Sequence, residues 1–151
     1  MQKQAHSSTG WRLLLALPAV PLTSFASGIG RWLPGAAASS MSGVLDLTAA
    51  KDHAAIVEKL GPYADFRAAW EDNSALHLLA KHRDDARRIP FLITVGASDH
   101  WSRVNRTFDA ELTDLGIQHT FEEREGGHDW NYWVSELANH AAWHAARLGT
   151  P

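Results

Sequence analysis

Residues 88–96 read RIPFLITVG and form the clearest strand pattern in the chain. It is short, almost continuously apolar and rich in branched and aromatic side chains, as is typical of a parallel strand buried on both faces. The apolar residues of 102–115 then recur at helical spacing, and Gly116 ends that pattern. Residues 117–121, IQHTF, predict the next strand. A strand, a helix and a second strand in this order predict two parallel strands joined by a crossover helix.

A last helix is predicted over about 132–148, after Gly126 and Gly127 break the chain. Its apolar residues recur at helical spacing, and this spacing predicts the face that packs on the sheet. The residues expected on that face are Trp133, Leu137, Ala141 and Leu148.

Upstream of this region, the pattern can be followed back to about residue 37. Ala37–Met41 is short, small and apolar, and it predicts a buried strand that ends in the turn Ser42-Gly43. Helices are predicted over about 50–60 and 75–82, and residues 63–73 are expected to be irregular. The whole order predicts an α/β fold with about three parallel strands and covering helices.

Composition excludes several classes of function. The chain has 151 residues, a formal net charge of -3 and no cysteine. The weak negative charge gives no electrostatic reason to expect nucleic acid or a membrane surface as a partner, and no apolar run reaches the roughly 18 residues of a membrane span. The missing cysteine excludes disulfides, thiolate zinc sites and a cysteine nucleophile. The sequence contains no phosphate-binding or dinucleotide-binding glycine motif, and we expect no cofactor.

Residues 1–36 form a separate, poorly patterned segment. Lys3 and Arg12 precede the apolar run 13–22, and small residues follow it. This is the outline of a signal peptide, whereas the prolines and the long polar lead-in argue against one. We expect a cytoplasmic protein, or a secreted one if residues 1–27 act as a signal.

Two polar residues follow successive predicted strands. Asp99 comes after the strand 88–96, and His128 comes after the next strand, in the run GGHDW. In a parallel α/β sheet both lie beyond the carboxyl ends of strands, where sites form. A carboxylate there can hold an imidazole in one tautomer while the other ring nitrogen takes a proton from a nucleophile. Three alternatives stay open: Asp99 as a helix cap, His128 as an ordinary loop histidine, and Asp129 as the acid.

The segments PFLITVGASDH and DLGIQHTFEEREGGHDWNYW, with the helix between them, resemble the end of the putative-esterase branch of α/β hydrolases. That branch includes S-formylglutathione hydrolase, the antigen 85 mycolyltransferases and feruloyl esterases. The run SGVLDL, residues 42–47, is similar to the segment after the next strand upstream in the family. The resemblance therefore covers roughly 37–148, and it implies that residues 37–151 are the C-terminal half of such a domain.

Carried over by position, the resemblance implies that Asp99 is the acid and His128 the base of a catalytic triad. Triads of this fold run serine, aspartate, histidine along the chain, and these two residues fit that order. The resemblance also implies that Trp130 and Trp133 bind substrate by lining the acyl pocket.

The serine nucleophile of this family is missing from the sequence. It lies on a strained strand-to-helix turn with the pattern Gly-x-Ser-x-Gly, because the helix packs closely against that turn. No serine of the chain has this pattern. The spacing found in the family, counted back from Ser42-Gly43, would place the serine near Pro18, inside the unpatterned segment. We therefore expect residues 1–36 to be a replaced, misread or frame-shifted join, and this chain alone to be inactive.

His140 and His144 stand four residues apart on the last predicted helix, a spacing that can bind a metal. No third ligand is evident, so we expect both on an exposed helix face and no metal site. Six further histidines are not expected to form a cluster. These are His6, His53, His77, His82, His100 and His119.

Two hypotheses of function follow. The resemblance implies a serine esterase that hydrolyses small carboxylic esters or thioesters, with the serine supplied by another polypeptide. The alternative is a non-catalytic α/β fragment or interaction module. In both cases the strand Ala37–Met41 presents a free edge, which can pair with another chain, including a second copy of this one.

Overall fold

The residues that the structure describes contain one three-stranded parallel sheet, in which the strands lie side by side in chain order. The computed structural model describes residues 37–148. The strands are β1 (Ala38–Met41), β2 (Phe91–Gly96) and β3 (His119–Arg124). The helices are a 3-10 helix (Leu47–Ala50), α1 (Ala54–Leu60), α2 (Arg67–Asp72), α3 (Ala75–Lys81), α4 (Arg83–Ala86), α5 (Ser102–Asp114) and α6 (Trp130–Leu148). The predicted α/β class with three parallel strands is confirmed.

β2 is the middle strand, and all of its residues after Phe91 are buried. Phe91 lies opposite Ala38 in β1 and opposite His119 in β3. Gly96 lies opposite Arg124, so β2 and β3 end level with each other. The chain segments that follow these two strands therefore leave the sheet at the same edge, which is where sites form in parallel sheets.

α5 and α6 cover opposite faces of the sheet. Ile93 of β2 packs in one apolar cluster with Phe108 and Leu112 of α5. The hydroxyl of Thr94, the next residue along β2, lies 2.9 Å from Nε2 of His140 in α6. Because consecutive residues of a strand point to opposite faces, the two helices flank β2 from both sides.

The segment between β1 and β2 contains more helix than its sequence predicts. The expectation of irregular structure at 63–73 is wrong, because α2 occupies Arg67–Asp72. Trp70 in this helix is completely buried, and its indole N–H donates to Gly61 O at 3.0 Å. A helix this short cannot show a period in the sequence, and the burial of one large side chain is enough to hold it in place.

α6 turns a different face to the sheet from the predicted one. The interior face carries Tyr132, Glu136 and His140. Leu137 of the predicted apolar face is 56% exposed, and Ala141 is exposed as well. The sheet beneath α6 offers hydroxyl and guanidinium groups, so the polar side chains of the helix find partners there. Apolar spacing alone therefore selected the wrong face.

His140 and His144 lie on this interior face, so the expectation of an exposed helix face for them is wrong. Nε2 of His140 lies 2.9 Å from Oγ1 of Thr94, and Nε2 of His144 lies 2.8 Å from Oγ of Ser39. Each ring thus bonds a hydroxyl of a different strand. Burial lowers the pKa of both histidines, because the charged imidazolium would lose its hydration.

No helix within residues 37–148 is long and apolar enough to cross a membrane. Residues 1–36, with the predicted signal-like run and the predicted join, lie outside the described residues. The described residues, 37–148, are those in which the sequence shows an α/β pattern.

Candidate active site

The chain segments that follow β2 and β3 are held side by side by their backbones. Ala97 N donates to Arg124 O at 2.7 Å, and Ser98 N donates to Gly126 O at 2.9 Å. The approach is so close that a Cβ atom on Gly96 would lie 2.4 Å from Gly126 O. Gly126 has a φ of 135°, a conformation that favours glycine. Two glycines therefore allow the two loops to touch directly.

Asp99 is buried just after β2 and uses both of its carboxylate oxygens. Trp101 N donates to Oδ1 at 2.7 Å and closes the turn that precedes α5. Oδ2 lies 3.0 Å from Nδ1 of His128. The local turn contact and the contact with the imidazole are therefore combined in one side chain.

His128 reaches Asp99 from the loop after β3. The His128 side chain is 31% exposed, and no hydrogen bond within residues 37–148 reaches its Nε2. A carboxylate at Nδ1 favours the tautomer with the proton on that nitrogen, so Nε2 carries the lone pair. This arrangement offers a proton acceptor at the solvent-facing edge of the sheet, oriented by a buried anion.

The neighbouring carboxylate, Asp129, has a different role. Its Oδ1 accepts hydrogen bonds from Asn131 N at 2.9 Å and from Tyr132 N at 3.1 Å, so it caps the start of α6. Asp129 is also exposed. The carboxylate that contacts the imidazole of His128 is therefore Asp99 and not its neighbour in the sequence.

A row of aromatic rings passes through His128. The centroid of its ring lies 5.1 Å from that of Trp133, in an edge-to-face contact, and the centroid of Trp133 lies 5.3 Å from that of Trp130. The centroid of the His100 ring also lies 4.7 Å from that of His128. Trp130 is 58% exposed, so the row continues from the imidazole to the surface. Of the two tryptophans singled out in the sequence, Trp133 thus lies beside the candidate base and Trp130 lies beside Trp133.

His100 belongs to this site, although the sequence gives it no cluster. Its Nδ1 lies 3.8 Å from Oδ1 of Asp99, so one of the six further histidines lies beside the candidate acid and base. The only available signal was its position directly after Asp99. Adjacent residues on a strand-to-helix turn can point in either direction, and spacing therefore could not place the ring.

α6 is anchored to β3 by an ion pair between a buried carboxylate and a half-exposed guanidinium, and this fixes the His128 loop that joins them. Oε1 of buried Glu136 lies 3.1 Å from Nη1 of Arg124. Nδ2 of Asn139 donates to Oε2 of Glu136 and to Oε2 of Glu122, at 3.1 Å in each case. The two ends of the loop between β3 and α6 are thereby held together, which restricts the position of the His128 imidazole.

Asn105 ties the turn after β1 to the start of α5. Its Nδ2 donates to Gly43 O at 3.0 Å and to Trp101 O at 2.9 Å. Ser42 in this turn has a φ of 53°, in the left-handed region, and its buried hydroxyl finds no hydrogen-bond partner among the described residues. This turn lies at the same edge of the sheet as the candidate site, but the serine that it carries is closed to solvent.

The sequence of the chain matches esterases. The family model described as Putative esterase matches residues 36–144. A curated acetyl esterase from Caldicellulosiruptor saccharolyticus is 34% identical over 67 residues, which are 44% of this chain and 25% of that enzyme.

Solved hydrolase structures have a similar fold. A ferulic acid esterase superposes with a TM-score of 0.57 and 24% identity, over 74% of this chain and 42% of its own. An S-formylglutathione hydrolase from Staphylococcus aureus gives a TM-score of 0.60 and 21% identity, over 72% of this chain and 44% of its own. The fluorophosphonate-binding serine hydrolase F of the same organism, with substrate bound, gives 0.61 and 21%, over 82% and 48%.

These structural likenesses, at such identities, establish the shared fold. The chain spans less than half the length of each solved structure and a quarter of the length of the acetyl esterase. The family model covers well over half of this chain and includes both Asp99 and His128. The chain therefore belongs to the Putative esterase family.

Proposed function

We propose that this chain supplies the acid and the base of a serine esterase, with Asp99 as the acid and His128 as the base. The observation that carries the proposal is the 3.0 Å contact between Oδ2 of buried Asp99 and Nδ1 of His128. Because the carboxylate holds the ring by one nitrogen, the other nitrogen is left to accept a proton. Membership of the Putative esterase family supports the same chemistry.

In this proposal, Nε2 of His128 takes the proton of a serine hydroxyl as that oxygen attacks the carbonyl carbon of an ester. Asp99 stabilises the imidazolium that forms, and the imidazolium then gives its proton to the departing alcohol or thiol. Water hydrolyses the acyl-serine by the same route, with His128 again as the base. The products are a carboxylic acid and an alcohol or thiol.

In this proposal the serine lies outside the 151 residues of the sequence, since none of their serines has the pattern Gly-x-Ser-x-Gly. The oxyanion hole would come with it, because one of its donors is the amide of the residue after that serine. We infer that residues 1–36 replace the segment that carries the serine in relatives. Translation of the upstream coding DNA in the other two frames tests the frame-shift version of this idea, which fails if neither frame encodes the pattern.

The substrates in this proposal are small carboxylic esters or thioesters. The names of the similar proteins, acetyl esterase and ferulic acid esterase, support esters of small acids. Trp133 and Trp130 would line the acyl side of the pocket, because they continue the row of rings from His128 to the surface.

A chimera tests the proposal directly. In the fluorophosphonate-binding serine hydrolase F, the part that superposes on this chain is replaced by residues 37–148. We expect the chimera to react with a fluorophosphonate probe and to hydrolyse 4-nitrophenyl acetate, because its own serine then faces His128. His128→Ala should lower both rates by about a thousandfold or more.

His77→Ala is the matched control, since this ring also lies near a carboxylate, 3.7 Å from Asp46, and is not part of the site. A chimera that unfolds cooperatively but stays unlabelled, or one in which His128→Ala reacts at the unmutated rate, contradicts the proposal. The chain by itself is expected to stay unlabelled.

The second candidate is a non-catalytic α/β interaction module. It is supported by the missing serine pattern and by the outer edge of β1, with which no other strand pairs within residues 37–148. An inactive but folded chimera, together with self-association of the chain, would favour this candidate over the esterase.

A further inference from the structure

Three side chains with metal-binding atoms converge at the ends of β2 and β3. One carboxylate oxygen of Asp99 and one ring nitrogen each of His100 and His128 all lie within 4.8 Å of one another. We propose that these three residues form a binding site for a divalent transition metal ion of the zinc type. Within residues 37–148, this is the one group of at least three such side chains that converges closely enough to hold an ion.

The distances suit a zinc-sized ion. Bonds of about 2.0–2.1 Å in tetrahedral geometry place neighbouring ligand atoms roughly 3.3 Å apart. Oδ2 of Asp99 lies 3.0 Å from Nδ1 of His128, and Oδ1 of Asp99 lies 3.8 Å from Nδ1 of His100. Each imidazole therefore faces a different oxygen of the carboxylate, and one ring has to turn before both can bind the same ion. The His100 side chain is 62% exposed, so it can rotate by the small amount that coordination requires.

The donor set favours transition metal ions over magnesium and calcium. Two neutral imidazoles and one carboxylate suit zinc, cobalt, nickel and copper, whereas magnesium and calcium prefer oxygen ligands alone. Three protein ligands leave at least one position of the ion open to water, as in sites that are not purely structural. The burial of Asp99 keeps its negative charge poorly hydrated, which favours a cation beside it.

Other histidines of the described chain lack this arrangement. His119 pairs with Asp109 at 2.9 Å, but without a second histidine. His140 and His144, whose spacing in the sequence suggests a metal pair, bond hydroxyls of two different strands through Nε2. The second imidazole beside a shared carboxylate therefore distinguishes the Asp99 site.

Metal binding would exclude the proposed base function. An ion bound to Nδ1 of His128 needs the lone pair of that nitrogen, so the ring proton moves to Nε2. The imidazole stays neutral and no proton is released, but Nε2 becomes a donor and can no longer accept a proton from serine. This consequence rests on the proposed function, whereas the binding itself does not.

The test is a titration of the full chain, produced without a histidine tag and freed of metal. Calorimetry with Zn²⁺ should give one ion per chain, and Co²⁺ should give visible absorption bands from an ordered site. His100→Ala should raise the Zn²⁺ Kd at least about tenfold, because it removes one of the three ligands. The His100 ring is exposed, so its loss should leave the fold intact. His77→Ala, beside Asp46 alone, should leave the Kd unchanged.

Unchanged Zn²⁺ affinity in His100→Ala would overturn the metal site, as would equal weakening by His77→Ala. His128→Gln provides a second variant, and its thermal unfolding curve shows whether the fold is kept. Since these readouts need neither a serine nor an ester, failure of the esterase proposal would leave them unaffected. In the chimera, Zn²⁺ should slow fluorophosphonate labelling, and a chelator should restore it.

Discussion

At the scale of single residues, Asp99 divides its carboxylate between two partners. Oδ1 accepts from Trp101 N, and Oδ2 contacts Nδ1 of His128. Because both oxygens are engaged, the side chain cannot rotate without losing one contact. The imidazole is thus oriented by a group that the turn before α5 already holds in place.

Asp99→Asn should change the tautomer of His128. An amide that turns its NH₂ group to Nδ1 makes that nitrogen an acceptor and moves the ring proton to Nε2. Long-range ¹H–¹⁵N spectra of the neutral ring should show Nδ1–H in the unmutated chain and Nε2–H in the variant. Asp129→Asn is the control, because Asp129 caps α6, and it should leave the His128 tautomer unchanged. Identical His128 spectra for Asp99→Asn and the unmutated chain would contradict the assigned contact.

Gly96→Ala should separate the loops that carry the candidate acid and base. The new Cβ would lie 2.4 Å from Gly126 O, a backbone atom that cannot move aside alone. We expect a loss of about 1–3 kcal/mol in the free energy of unfolding, measured with urea. Gly127→Ala is the matched control, since its Cβ meets only a side-chain oxygen of Asp129, at 3.2 Å. Similar unfolding midpoints for the two variants would count against the close approach.

The strand pattern placed Asp99 and His128 beyond neighbouring strand ends, which converge in a parallel sheet, and the resemblance to the esterase family then favoured their pairing. His100 and Asn105 could not be placed in the same way. The direction of His100 depends on the turn that follows β2, and the two bonds of Asn105 reach Gly43 and Trp101 only after the sheet has formed. Long-range contacts of this kind leave no periodic signal.

At the scale of elements, α6 is docked by polar side chains. His140 meets Thr94 on the sheet, and its ring also feels the charges of Glu136 and His144 on α6 and of Glu122 and Arg124 on β3. Burial is the largest influence and lowers the pKa of His140. The folded state therefore resists protonation more than the unfolded state does, which links the docking of α6 to pH.

Acidification should lower the free energy of unfolding of the chain through protonation of His140. The unfolded state takes up a proton near the ordinary value of 6.5, and the folded state does so only at lower pH. The contribution of neutral His140 is therefore complete above that value and declines as the pH falls below it. Urea unfolding at pH 7.5 and at pH 5.5 should show a smaller loss for His140→Gln than for the unmutated chain. His53→Gln, at an exposed position, should behave like the unmutated chain, and an equal loss in all three would disprove the link.

The sequence predicted the bounds of the helices and strands better than the faces with which they pack. The apolar run 102–115 closely matches α5, whereas β3 begins later than the predicted strand 117–121 and continues to Arg124. Its charged end is stabilised by helix partners, such as Glu136 for Arg124, which no local pattern reveals. The face of α6 was mispredicted for the same reason: polar contacts of buried Glu136 and His140 replaced the apolar contacts that periodicity assumes.

At the scale of the whole molecule, the sheet has an outer edge at β1. The amides of Ala38 and Ser42 donate to Pro90 O and Thr94 O, and the alternation along the strand therefore turns the amide of Met41 away from β2. Within residues 37–148 no other strand pairs with this edge. Unpaired strand edges are templates for another chain.

Self-association through this edge should be measurable by sedimentation velocity over a range of concentrations. Met41→Pro removes one outward donor without touching a bond to β2, and should shift the distribution toward monomer. Met41→Leu keeps the donor and should associate as the unmutated chain does. A chain that stays monomeric at all concentrations, or a proline variant that associates normally, would refute this use of the edge.

The register of the sheet also has a consequence for how the chain reaches its structure. Phe91 pairs with His119 across a single helix, whereas its partner Ala38 lies much further away along the chain. Since the entropy lost on closing a loop grows with its length, β2, α5 and β3 should assemble first and β1 should join later. Pulsed hydrogen exchange during refolding should then protect β3 amides before those of β1. The loops that carry Asp99 and His128 would therefore come together early in folding, before β1 joins the sheet.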